Sequence, residues 1–454
     1  MIAMTHHGDT PRMPGHIFIR RSAMALAALA LVGCNPDRVL EVDDVDVVRP
    51  GSLAGKSALP ALRTGVLGSF QIAYSGGGDL ANGGHEGLIN LGGLFSDELV
   101  DAETFSDRIN LDAHRVTAAN GSMVALFLDL SRARAAASAA ARKYAQFDPG
   151  SDGHAEMIAI DAFAHILFGE HYCSGVPFST ITDDEALVYG DPLARDEIFQ
   201  VAVAKFDSVI AMARAIQDGD LEALARVGKG RALVNLARWS EAATAVAGVS
   251  TSFRYVIESS TNSNRQRNGI WHYFYNGASF SVADREGGVG LPFASAGDPR
   301  IGALDTGGPG FDGETRLIIA RKYPEASTPT VLADGVEARL IQAEAALRAG
   351  DAPAMFATLD ALRLGIGLGP LADPGTPGAR EDLLFSERAN WLYLTAHRTG
   401  DLRRLVRQYG RPVASVYPSG AYFKGGVYGS DYVIPVSADE RNNPRFQGCI
   451  DRDP

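Results

Sequence analysis

Amphipathic helical segments, several of them paired across short Gly or Asp links, fill most of the chain after residue 120, and they restrict the fold more than any other feature. Met123, Leu126, Phe127 and Leu130 open one apolar stripe that runs through an alanine-rich segment to Tyr144, and Met157 to Phe168 form a second. The same period predicts helices at Arg195 to Met212, Leu221 to Leu236, Ser240 to Ala247, Val336 to Arg348, Pro353 to Leu364 and Glu381 to His397. Ala232, Leu236, Trp239 and Ala242 fall where a helix-turn-helix repeat places small and large packing residues, and Val336, Leu340, Ala343 and Leu347 share one stripe before the Ala349-Gly350-Asp351 turn. The expected fold class is mainly α, a tetratricopeptide-like helical repeat scaffold with an irregular loop-rich lobe. That lobe is expected from Ser250 to Thr328, which is rich in Gly, Asn, Ser and aromatics, with a few strands. Further loop-rich stretches run from Gly365 to Gly378 and from Tyr409 to Pro454. Loops on a rigid scaffold are where binding surfaces usually lie.

The other end of the chain carries a processing signal. Arg20-Arg21, the apolar run Ala23 to Val32 and the small-residue exit Leu31-Val32-Gly33-Cys34 read as a cleaved leader with a lipobox. The run is too short for a bilayer core of about 30 Å. The expected segments are a signal peptide (1–33), an acidic tether (34–50) beginning at a lipidated Cys34, and one domain (51–454) with loop-rich insertions near 250–328 and 409–454. A plain secreted protein whose signal ends in Gly-Cys is the alternative. Multiple acyl chains on Cys34 would anchor the protein without a spanning helix, each buried methylene contributing about 0.8 kcal/mol. Removing 1–33 takes away Arg12, Arg20 and Arg21 against Asp9, so the net charge moves from −12 to −14. Nucleic acid is an unsuitable partner, because phosphate binding needs clustered Lys and Arg. Cys173 and Cys449 are the two remaining cysteines and are expected to pair in an oxidising compartment, with two buried free thiols as the alternative.

No motif for catalysis stands out: there is no GxSxG elbow, HExxH helix or P-loop, and Gly76-Gly77-Gly78 lacks the Lys-Ser/Thr end of a phosphate loop and reads as a flexible loop. Glu337 and Glu344 would lie about 10.5 Å apart along a helix, too far for paired catalytic carboxylates, and salt bridges to Arg339 or Arg348 suit them better. Asp97, Glu98, Asp101 and Glu103 lack the ligand alternation of a calcium loop and read as a solvated acidic surface. No cofactor, metal or catalytic residue is expected. The binding candidates are Trp271, Tyr273, Tyr275, Arg265 and Asn276, because aromatic rings beside planar amides and Arg match the C–H faces and hydroxyls of sugars. As a strand, this segment would put Trp271, Tyr273 and Tyr275 on one face and His272 and Phe274 on the other; the alternative is that they are core. Tyr417, Tyr422, Phe423 and Tyr428 form a second aromatic cluster, read as a tail packed over the scaffold.

Several phrases, in order, resemble the SusD/RagB family of outer-membrane nutrient-binding lipoproteins. They are Leu94-Phe95-Ser96-Asp97-Glu98; Ala162 to Phe178 with Val176-Pro177-Phe178; Ala225-Arg226 to Trp239-Ser240-Glu241-Ala242; and Asp298-Pro299-Arg300. Further along come Glu337 to Ala345, Glu387-Arg388, Arg398, Asp401-Leu402 and Val433-Ile434-Pro435 to Asn443-Pro444. Trp391, Thr395 and Ala396 replace the family's Glu, Glu and Gly, so the charges of that helix must be arranged differently. The resemblance implies a lipid-anchored outer-membrane protein at the cell surface that binds oligosaccharide or another nutrient and passes it to a SusC-like TonB-dependent transporter. It does not imply an enzyme. A helical-repeat adaptor that binds peptide or protein partners is the competing reading.

Overall fold

The computed structural model describes residues 55–78, 85–182 and 186–454; the expected leader, the lipidated Cys34 and the acidic tether lie outside the described residues. In chain order the helices are α1 (Leu59–Ser75), α2 (Leu88–Leu94), α3 (Ser106–Asp112), α4 (Gly121–Phe147), α5 (Asp152–His171) and α6 (Arg195–Ile216). Then follow α7 (Gly219–Asn235), α8 (Trp239–Val246), α9 (Gly335–Arg348), α10 (Ala352–Leu364), α11 (Pro377–Trp391) and α12 (Arg398–Arg407). Helix α5 is the centre of the scaffold, buried on nearly every side, and it packs on α1, α4, α6, α7 and α12. A helix with apolar residues on every face can be satisfied only in that position, and its buried acids are paired there, Asp161 with Lys205 and Glu170 with Arg231. Neighbouring helices pack as antiparallel pairs because their links are short and capped. Asp218 accepts from the Leu221 N–H at 2.9 Å to start α7, and Asp351 from the Ala354 N–H at 3.0 Å to start α10. One continuous apolar core runs from Leu59 to Val436. No described helix is long and apolar enough to cross a membrane.

Short antiparallel ladders occupy the loop-rich lobe. Strand β1 (Leu99–Asp101) pairs with β3 (Phe280–Val282), β2 (Arg254–Ile257) with β6 (Thr330–Asp334), and β4 (Ala303–Pro309) with β5 (Arg316–Ala320). Cys173 and Cys449 are joined in a disulfide that fastens the C-terminal tail beside the end of α5, where the Cys173 N–H also donates to the Ile434 carbonyl at 2.9 Å.

Five expectations need correction. The helix placed at Glu381 to His397 stops at Trp391, and Leu394 and Ala396 adopt φ of 50° and 57°. Groups from distant elements take over the backbone there: Glu98 accepts from the Leu394 N–H, Tyr323 donates to the Leu394 carbonyl, and Arg231 donates to that of Ala396, each at 2.9 Å. Asp97, Glu98, Asp101 and Glu103 are not solvated but buried, paired with Arg398, the Leu394 N–H, Lys424 and Arg108 respectively. Glu344 pairs with Arg404 and accepts from Tyr409, while Glu337 meets His397 at 3.1 Å; Arg339 instead donates to the Val249 carbonyl, and Arg348 covers the Trp239 ring. The glycine run at 76–78 is no flexible loop. It is buried, and a Cβ on Gly76 would lie 2.3 Å from the Glu86 carbonyl oxygen. Finally, Trp271 to Tyr275 form no strand: Gly269–Trp271 is a helical turn that continues as a π-helical turn over His272–Asn276, started by Asn268, whose side chain accepts from the Trp271 N–H.

Candidate functional site

A cavity of about 600 Å³ opens where α3, the start of α4, the turn at Asn276 and the β4–β5 hairpin converge. Two exposed rings, Phe105 and Phe311, line it and stack on each other with centroids 6.2 Å apart and planes 19° from parallel. They are 54% and 59% exposed, which separates them from rings that merely complete a core. Phe311 is held in place by backbone: its N–H donates to the Ala278 carbonyl and the Asp312 N–H to that of Ala102, both at 2.9 Å. Gly310 makes that approach possible, since a Cβ there would meet the Ala102 methyl at 2.5 Å.

Beneath the rings lies Arg108, buried and turned inward. Its Nε donates to Glu86 Oε1 at 3.0 Å, Nη1 to Glu103, and Nη2 faces the Tyr273 hydroxyl at 3.4 Å. The guanidinium also lies 5.1 Å from the Phe105 centroid and 5.2 Å from that of Tyr273. Burial alone would lower its pKa, but Glu86, Tyr273 and Glu103 outweigh that and keep it charged. Burial pushes the Glu103 carboxyl up, with Arg108 opposing. Ser122 donates to Glu86 Oε1 at 2.8 Å, whereas Glu86 Oε2 is buried and has no hydrogen-bond partner among the described residues. Glu86 is set here by the tight crossing of Gly76 and Gly87, each with φ of 78°. Lys424, from the tail, binds Asp101 Oδ1 and the Glu103 carbonyl at 2.6 Å and Asp312 Oδ2 at 2.9 Å, so one ammonium fastens three segments around the mouth. Burial would raise Asp312, but hydrogen bonds from Thr315, Glu314 and Lys424 outweigh it and hold the carboxyl below its usual range.

The sequence-expected residues divide. Asn276 lines the cavity. Tyr273 is core, 1% exposed, its ring stacked on Phe280 at 4.9 Å under Arg108. Trp271 and Tyr275, four residues apart on a helical turn, stack at 6.4 Å and 14° with Tyr275 exposed, a second aromatic pair just before Asn276. Arg265 is exposed and outside the cavity lining. In the C-terminal cluster, Tyr417, Tyr422 and Tyr428 are buried and Phe423 is exposed. Sequence reasoning passed over Phe105, Phe311, Arg108 and Glu86. A signal existed for Phe311, since an aromatic set alone in Gly307-Gly308-Pro309-Gly310-Phe311-Asp312-Gly313 has no apolar stripe to join. Among the described residues no group of three or more His, Cys, Asp or Glu side chains is arranged to hold a metal ion.

No protein-family model matches the sequence, and no curated protein is similar to it. Solved structures do match. A SusD superfamily protein from Parabacteroides distasonis superposes with a TM-score of 0.63 at 11% identity, over 86% of this chain and 98% of that one. A laminarin binding SusD-like protein superposes at 0.62 and 13% identity, over 87% and 99%. A SusD-like carbohydrate binding protein from Bacteroides vulgatus gives 0.56 and 15%, over 77% and 83%. The chain therefore has the SusD-like fold, a mainly helical repeat scaffold with a loop-rich lobe.

Proposed function

We propose that this SusD-like fold serves as a glycan-binding protein, which captures oligosaccharide at the Phe105–Phe311 cavity rather than transforming it. The carrying observation is the stacked, solvent-facing Phe pair over a floor of hydrogen-bonding groups. A sugar ring offers C–H faces that pack on phenyl rings and hydroxyls that both donate and accept, and Glu86, Asp107, Ser122 and Asn276 supply partners around the same space. The Trp271–Tyr275 pair would extend the surface along a longer chain. Two of the similar structures are described as laminarin binding and as carbohydrate binding, which supports the ligand class. In this reading the protein is held at the outer membrane by lipid on Cys34, faces the cell exterior and passes its ligand to a TonB-dependent transporter.

Binding of the purified protein to panels of oligosaccharides and peptides tests the proposal. Phe105→Ala and Phe311→Ala should each weaken saccharide binding by about tenfold or more, while melting shifts little, because truncating an exposed side chain changes stability by about 0.5 kcal/mol or less. Binding to peptides alone would instead favour the adaptor reading, and saccharide binding unaffected by either substitution would move the site elsewhere.

A further inference from the structure

We propose that the cavity selects uncharged or amino-bearing saccharides and discriminates against uronate-type, carboxylate-bearing ones. This rests on the glycan reading above and adds the chemical class of its ligand. Among the described lining residues three side chains are acidic, Glu86, Glu103 and Asp107, and one is basic, Arg108. Arg108 is not available to an incoming anion, since its three nitrogens already face Glu86, Glu103 and Tyr273 inside the floor. The neighbouring cation, Lys424, is likewise occupied by Asp101, the Glu103 carbonyl and Asp312.

The lining is therefore acceptor-rich and negative. Glu86 is 2% exposed in the floor, and its Oε2 has no partner among the described residues. A buried carboxylate oxygen needs a donor, which a sugar hydroxyl or ammonium supplies and a uronate carboxylate, acceptor-only, does not. Asp107, half-buried at the rim, spends Oδ2 on the Gly121 N–H at 2.8 Å and adds its charge beside the Phe pair. The phenyl faces carry a negative quadrupole that suits C–H groups and ammonium better than carboxylate, so affinity for neutral sugars survives. A carboxylate brought against the same rings meets three acidic side chains and, among the described lining residues, no unoccupied cation, in a space where water screens less than in bulk.

The test is binding of the purified protein to immobilised hexasaccharides of glucose, mannose, N-acetylglucosamine, glucosamine, galacturonate and mannuronate at low salt, for wild type, Asp107→Asn and Glu86→Gln. A neutral or glucosamine series should bind best, with both uronate series weaker by about tenfold or more, and Asp107→Asn should narrow that gap. Uronate binding equal to or tighter than the best neutral series overturns the selectivity and leaves the glycan reading intact; silence across every saccharide overturns both. Should Glu86→Gln melt early, the wild-type ranking and Asp107→Asn still decide the matter.

Discussion

Arg108 shows how much one side chain can be asked to do. It pairs with two buried carboxylates, supports the Phe105 ring and fills the space between the cavity and Tyr273. Arg108→Ala should destabilise the protein by about 3–5 kcal/mol, because Glu86 and Glu103 would stay buried without a counter-charge; a denaturant titration measures this, and a loss under 1 kcal/mol would mean that water replaces the guanidinium. Glu98 poses the opposite problem. Burial pushes its carboxyl up to about 8, with the Leu394 N–H opposing and Asp97 adding to the rise. The fold thus prefers the protonated acid. Its contribution is complete below the unfolded value of 4.5 and is lost as pH rises through 8. Glu98→Gln keeps an acceptor for Leu394 and removes the charge. It should leave melting near wild type at pH 5 and stabilise at pH 9 by on the order of 2–4 kcal/mol; equal effects at both pH values would exclude the titration.

At the scale of elements, what could be read in the sequence was what repeats with a helical period. The expected segments for α4 to α10 lie within their observed bounds to a few residues, because each buries one apolar stripe or, for α5, its whole surface. Helix α12 escaped for a physical reason. Its sequence Arg398-Thr-Gly-Asp-Leu-Arg-Arg looks solvent-facing, yet it is buried, with Arg398 on Asp97, Arg404 on Asp401 and Glu344, and Arg403 on the carbonyls of Gly169, Glu170 and Tyr172. Partners supplied from some 60 to 300 residues away leave no trace in a local window. The site was half legible for the same reason: the aromatic run at 271–275 announced itself by composition, while Phe105 and Phe311 become neighbours only through the fold. The tail adds a covalent element. Replacing both Cys173 and Cys449 by Ser should lower stability by up to about 5 kcal/mol on loop-closure grounds, read from melting with and without reductant. A wild type whose melting ignores reductant would show the bridge to be dispensable.

For the whole molecule, the proposed arrangement is a rigid helical body tethered by lipid at one end and presenting a loop-rich lobe to its ligand. Cys34→Ala should release the protein from the membrane fraction after export, assayed by fractionation; continued membrane association in the variant would count against the lipid anchor. In the glycan reading a change of ligand need touch only the segments that line the cavity, namely the lobe's turn at Asn276 and its hairpin together with α3 and the start of α4.

Lys424 sets a limit on that freedom. Because its ammonium joins the segment before Phe105, the hairpin turn bearing Phe311 and the C-terminal tail, those three stretches form one exchangeable cassette rather than three. An engineer grafting a new hairpin to re-aim the aromatic pair would have to carry over Asp312, or redesign the tail along with it.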